Sequence, residues 1–213
     1  EKVVTETDVF DCSHGERGGK VLKDAAPLGR VALPELVSRS SNVGFAQIFD
    51  RLGAPRSRSA LERFHFTVPA NLANAAPGDW DGALSAIGVT MNATPRQVTR
   101  AYATLANGGE GVVKAETAAR VGALLEGVVS SENGTGKKAA LAGVRVAGKT
   151  GTSEWTGPDG AQRTYASFVG YVPADRPRYV IFVGVESPKG EAVSGGEAAA
   201  PVFARVAAKA LAH

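Results

Sequence analysis

Gly143-Val-Arg-Val-Ala-Gly148-Lys149-Thr150-Gly151-Thr152 is the stretch that decides the fold, because two incompatible structures claim it. Letter for letter, Gly143 to Thr150 satisfies the phosphate-loop pattern G-x-x-x-x-G-K-[ST]. Such a loop needs a buried strand before it, a flexible turn whose N–H groups wrap phosphates, and a helix starting at the lysine. Ala139 to Ala142 makes a poor strand, and Val144 and Val146 alternate with Arg145 and Ala147 as strand residues do. After Thr150, Gly151, Gly157, Pro158 and Gly160 prevent a helix. No Val/Ile-rich run ends in an aspartate for magnesium, since Tyr179 to Val185 reaches Glu186 only after Gly184. Read as a strand, the same residues present the Lys149 ammonium and the hydroxyls of Thr150 and Thr152 side by side. Gly151 leaves room for an extended peptide whose terminal carboxylate they would hold. A nucleotide is therefore not an expected ligand.

The pattern extends outward from this strand. Downstream, Ala166 to Val172 and Arg178 to Glu186 are β-rich runs separated by Pro173-Ala174-Asp175-Arg176-Pro177, which predicts a hairpin, and Ala198 to Leu211 predicts an amphipathic helix. Upstream, Val121, Leu124, Leu125 and Val128 define a helix over Glu116 to Val129 that ends at Asn133-Gly134-Thr135-Gly136. Thr94-Pro95 opens another, with Val98, Ala101, Tyr102 and Leu105 on one face and Asn107-Gly108-Gly109 as its stop. Pro34 starts a helical stretch interrupted at Ser40-Ser41-Asn42 and stopped at Gly53. The prolines and Gly/Asp pairs of residues 54–93 predict mostly loop, with a short helix near Ala60 to Phe64. Residues 1–33, polar and Gly-rich with strand signals at Val3-Val4 and Val21-Leu22, read as a surface lead-in. The expectation is a single domain over 1–213, with a lead-in 1–33, a helical part 34–130 and a sheet part 140–213. Helices first and strands last give an α+β class with an antiparallel sheet flanked by helices.

Composition narrows the function classes. The 213 residues carry 24 Lys+Arg against 21 Asp+Glu, a net charge of +3, and 44% are hydrophobic, which are globular proportions. Tyr179 to Val185 is the longest apolar run, far short of the roughly 20 residues of a membrane span. Basic residues are scattered apart from Arg51, Arg56, Arg58 and Arg63, which read as a solvated face, so no nucleic acid is expected. The single Cys12 permits no internal disulfide, and His14, His65 and His213 make no zinc site; no cofactor or metal is expected. The chain begins at Glu1 with no Met and no leader, which predicts a mature product or an excerpt of something longer.

Ser40-Ser41-Asn42 and Lys149-Thr150-Gly151-Thr152 resemble, in chain order, the second and third motifs of penicillin-binding proteins and serine β-lactamases. Their surroundings carry the resemblance further: Ser38 to Gly44, Thr94-Pro-Arg-Gln97, Arg100 to Gly109, Gly134-Thr-Gly136, Val146 to Thr152, Phe168-Val-Gly-Tyr-Val-Pro173 and Gly195-Gly196 to Phe203. The Ser-Ser-Asn-Val-Gly context and the Lys23-Asp24 stretch look more like the monofunctional class B proteins than the bifunctional class A. The resemblance implies a DD-peptidase/serine β-lactamase-like fold and cross-linking of peptidoglycan stem peptides by serine acyl transfer, with β-lactams as acylating inhibitors. It also implies other cell-wall synthesis proteins of division or elongation as partners, and a place on the periplasmic face of the inner membrane. Ser40 would relay a proton to the leaving amine and Asn42 would bind the substrate amide. Lys149 would keep the site electropositive. Thr150 and Thr152 would hold the carboxylate beside Gly151, and the Thr152 N–H would supply half of an oxyanion hole. The bland readings are that Ser40 and Asn42 cap a helix, that Lys149 is a surface lysine and that the threonines are ordinary strand residues. Tyr102, Trp155, Tyr165 and Phe168 are expected in the core or at its rim, and no histidine is expected to act as a base.

One family motif is absent from the sequence: no serine has a lysine three residues on, whereas the resemblance implies a Ser-x-x-Lys carrying the acylated serine several dozen residues before Ser40. The expectation is an N-terminally truncated transpeptidase domain, inactive by itself, whose unpaired sheet edge favours self-association. Gly88-Val89-Thr90-Met91-Asn92 replaces the family's Gly-Gln-Gly type turn, and Phe64-His65-Phe66 its Phe-Gly pair. Two alternatives stand beside this reading: a non-catalytic pseudo-transpeptidase acting as an interaction module, and a β-lactamase or DD-carboxypeptidase relative.

Overall fold

The computed structural model describes residues 3–190 and 193–213, with Glu1, Lys2, Glu191 and Ala192 outside them. The chain divides into two compact units, Glu1–Thr94 and Pro95–His213.

In the first unit, β1 (Val9–Asp11) pairs antiparallel with β4 (Arg30–Ala32), placing Phe10 opposite Val31. Phe10 is fully buried, and Leu22, Leu28 and Val31 are buried too, so the lead-in builds core instead of skirting the surface. Its strands are too short and Gly-flanked to show an alternating pattern. Val3-Val4 forms no strand, whereas Val21 does. β2 (Glu16–Arg17) and β3 (Lys20–Val21) form a hairpin through Gly18-Gly19, whose φ of 50° and 74° suit the two-residue turn that follows strand twist. α1 (Leu33–Ser38) and α2 (Asn42–Leu52) flank the predicted break, and Gly53, at φ 75°, ends α2.

Residues 54–93 are more helical than expected. α3 (Ala54–Arg63) starts directly after Gly53, a 3-10 turn covers Ala70–Asn74, and α4 (Trp80–Ala86) follows. Pro55 accounts for the difference: it sits in the first turn of α3, where its missing N–H costs nothing, so it starts a helix instead of breaking one. Phe49 of α2 packs with Ala54 and Leu72. Arg17, buried, ion-pairs with Asp50 of α2, whose second oxygen accepts the Gly78 N–H at 2.8 Å; one carboxylate thus ties the hairpin and the turn before α4 to α2.

The second unit centres on an antiparallel sheet in the order β5 (Ala147–Thr156), β6 (Gln162–Val172), β7 (Tyr179–Glu186). The predicted start at Val144 is displaced, since Val144 makes only an isolated bridge to Leu141. β5 and β6 run longer than expected because Trp155 and Thr156 still pair with Arg163 and Gln162 across the Gly157–Ala161 turn. Phe168 and Val172 face α7 (Ala200–Leu211), where the Phe168 and Phe203 rings meet edge-on at 4.8 Å. Tyr171 and Ala147 lie on the opposite face, against Tyr102 and Leu105 of α5 (Pro95–Ala106) and Val121 and Leu125 of α6 (Ala115–Ser130). The antiparallel sheet flanked by helices is thus the α+β architecture read from the sequence. No helix among the described residues is long and apolar enough to cross a membrane.

Candidate functional site

The Ser-Ser-Asn triplet is a helix-to-helix turn of defined geometry. The Ser40 N–H donates to the Val37 carbonyl at 3.2 Å, and the Ser41 N–H to the Leu36 carbonyl at 3.0 Å. These paired reverse bonds close α1 as a Schellman turn, in which the residue after the cap has left-handed backbone and is ordinarily glycine. Here it is Ser40, with φ of 57°. Capping of α2 belongs to the middle residue, since the Ser41 hydroxyl accepts the Gly44 N–H at 2.9 Å. The capping reading of Ser40 and Asn42 is therefore corrected: extended backbone at Ser41, φ −65° and ψ 116°, places its oxygen over the first turn of α2.

Asp24 locks this turn. Its carboxylate accepts the Ser41 hydroxyl at 2.7 Å and the Val43 N–H at 3.0 Å, a favourable place for negative charge at a helix N-terminus. The Asn42 amide donates to the Lys23 carbonyl at 2.9 Å, which fixes the plane of its side chain. The sequence had offered Lys23-Asp24 only as context; a carboxylate 17 residues upstream gives no local signal of this contact.

The second cluster lies on β5, an edge strand of its sheet among the described residues, so alternate backbone N–H and C=O groups point away from β6. Lys149, opposite Val169, shares the α5–α6 face with Tyr171; Thr150, opposite Phe168, and Thr152, opposite Ala166, share the α7 face. Lys149 Nζ donates to the Thr150 carbonyl at 3.1 Å, and burial pulls its ammonium down from 10.5 to about 8. The Thr150 hydroxyl donates to Thr135 Oγ1 at 2.9 Å, and the Thr152 hydroxyl accepts the Gly195 N–H at 3.0 Å. The Thr152 hydroxyl thus acts as an acceptor, and the Thr150 hydroxyl as a donor to Thr135.

Gly195 opens the π-turn Gly195–Ala199 that leads into α7, and a Cβ there would stand 2.3 Å from the Ser167 carbonyl and 2.5 Å from that of Gly151. Glycine is thus what lets the turn close on β5. Thr135 and Gly195 were quoted in the sequence only within Gly134-Thr-Gly136 and Gly195-Gly196; their roles depend on loops distant in the chain, which no spacing rule reveals. The structure gathers Ser40, Asn42 and Asp24 in one turn, and Lys149, Thr150, Gly151, Thr152, Thr135 and Gly195 around one strand. Lys149 sits inside a strand followed by another strand, so Gly143–Thr150 is not a phosphate-binding loop. No cluster of metal-ligating side chains occurs among the described residues.

An antiparallel sheet between helices, with Lys-Thr-Gly-Thr on its edge strand and a Ser-Ser-Asn turn earlier in the chain, defines the class of the DD-peptidases and serine β-lactamases. The family model for the penicillin-binding protein transpeptidase domain matches residues 1–208, and the chain belongs to that family. It is 32% identical over 247 residues to a probable peptidoglycan D,D-transpeptidase FtsI of Caulobacter vibrioides, covering 96% of this chain and 42% of that protein. It is 28% identical over 251 residues to the stage V sporulation protein D of Bacillus subtilis, covering 97% and 38%. The chain thus spans about two fifths of these curated relatives. Among solved structures, the transpeptidase domain of the FtsI4 D,D-transpeptidase from Legionella pneumophila matches 84% of this chain and 69% of its own length, with TM-score 0.74 and 35% identity. The transpeptidase domain of Burkholderia pseudomallei penicillin-binding protein 3 shares the fold, with TM-score 0.86 over 98% of this chain and 73% of its own.

Proposed function

We propose that the protein carrying this chain is a class B peptidoglycan D,D-transpeptidase, which cross-links stem peptides by serine acyl transfer outside the cytoplasmic membrane and is acylated by β-lactams. The observation that carries this reading is the occupancy of position 40. A Schellman turn favours glycine there, helix capping is done by Ser41, and a serine is kept at a strain of about 1–2 kcal/mol. A serine held at such cost two residues before Asn42 supports a proton-relay role.

Ser40 passes the proton toward the leaving amine, and Asn42 binds the peptide amide. On β5, Lys149 supplies the positive charge, and Thr152 donates to the terminal carboxylate while Thr150, braced by Thr135, lines the same strand face. The exposed backbone of the edge strand accepts the extended peptide, with the Thr152 N–H as one oxyanion donor. The nucleophile is the serine of a Ser-x-x-Lys, which this sequence does not contain.

Fluorescent penicillin tests this directly. The protein encoded by the complete gene becomes covalently labelled; Lys149→Ala and Ser40→Ala each slow labelling by roughly 10²–10³-fold; and the 213-residue chain alone stays unlabelled. Labelling of the isolated chain, or none of the complete protein, overturns the proposal.

A further inference from the structure

The first unit contains a half-open apolar groove of about 220 Å³ between α2, α3 and α4 that the proposed chemistry does not use. Phe45, Ile48 and Leu52 of α2 form one wall, Leu61 of α3 the other, and Leu72 part of the floor. A pocket of about 150 Å³ already admits benzene, so this groove has room for an aromatic side chain with space beside it.

Its rim is basic. On α3, Ser57, Ala60 and Leu61 line the groove. At 100° per residue, Arg58 then falls on one flank of that face and Arg56 and Arg63 on the other. All three are exposed. Arg51, at the end of α2, is drawn away by its ion pair with Asp8 at 2.8 Å and its position over the Phe10 ring. Leaving out Arg51, which Asp8 neutralises, α3 carries three arginines against Glu62, a local excess of two. The helix beside the apolar groove is therefore net positive.

We propose that this groove docks an acidic amphipathic helix of a partner protein. Bulky apolar side chains at i, i+3 or i+4 enter between α2 and α3, the usual way a helix reads a groove. Carboxylates on its flanks meet Arg58 on one side and Arg63 on the other in bidentate pairs. A flat anionic membrane would reach the arginines but not fill a concave slot.

The test uses the protein encoded by the complete gene and a fluorescein-labelled synthetic amphipathic peptide with Leu and Phe on one face and Glu on both flanks. Anisotropy shows saturable binding that weakens as salt is raised. Arg58→Glu with Arg63→Glu weakens it at least tenfold, and Ala60→Trp, which fills the groove, does the same while circular dichroism stays unchanged. A peptide with Lys in place of Glu restores binding to the charge-reversed protein. Equal binding of a scrambled peptide, or indifference to both variants, overturns the proposal. So does binding of phosphatidylglycerol vesicles in preference to the peptide, which would assign the patch to a lipid surface.

Discussion

On the proposed reading, Ser40 sets stability against chemistry at a single residue. Replacing it with glycine removes the left-handed strain of about 1–2 kcal/mol, partly offset by about 0.5–1 kcal/mol of extra backbone freedom in the unfolded chain. Ser40→Gly is therefore expected to stabilise the fold by about 0–1.5 kcal/mol, read as a higher urea midpoint at unchanged slope, while labelling of the complete protein by penicillin falls as for Ser40→Ala. A destabilised glycine variant would mean that the serine side chain contributes more to the fold than the turn geometry implies. Ser41 behaves in the opposite way: its hydroxyl joins the Gly44 N–H to Asp24, so its loss costs stability first.

At the scale of elements, the α1–α2 crossing holds that turn. A Cβ on Gly44 would stand 2.3 Å from Leu36 Cδ1, and Leu36 is fully buried with nowhere to move. Gly44→Ala is expected to cost about 1–2 kcal/mol net, overpacking outweighing the better helix propensity, read as a lower urea midpoint at unchanged slope. The elements also show where sequence is readable. The helices α5, α6 and α7 and the strand β7 emerge from apolar spacing because each buries one face against a layer of the same unit. α3 is legible only in part, as the short helix expected near Ala60 to Phe64, because its ten residues include one buried side chain, Ala54, and three arginines, so no stripe marks its first half. β1 and β4 escape because three-residue strands are too short to alternate. Within the site, side chains adjacent in sequence were legible as motifs: Ser40 with Asn42, and Lys149 with Thr150 and Thr152. Asp24, Thr135 and Gly195 were not, because each acts through a contact 15 or more residues away along the chain.

Across the whole molecule, Lys149 links stability to pH. Its folded-state value of about 8 lies below the 10.5 of a free lysine. Between those values the unfolded chain binds a proton that the folded chain has released, so stability rises with pH across the window. Tyr102 and Tyr171, whose hydroxyls burial pushes above 10, act in the reverse sense once free tyrosine begins to ionise, which closes the window near that value. Urea midpoints measured from about pH 7 to 10 are expected to climb as the pH passes 8, while acylation of the complete protein, which on the proposed role of Lys149 uses the ammonium, is expected to decline over the same range. A flat stability profile would mean that Lys149 is well solvated. The backbone at position 40 reaches further, into the history of the gene. A serine codon of the AGC or AGT type is one base from glycine, and here that change relaxes the fold. On the proposed role of Ser40, a lineage released from the acyl-transfer step would gain stability by that one-base change, so glycine is expected at this turn in relatives that have lost the chemistry.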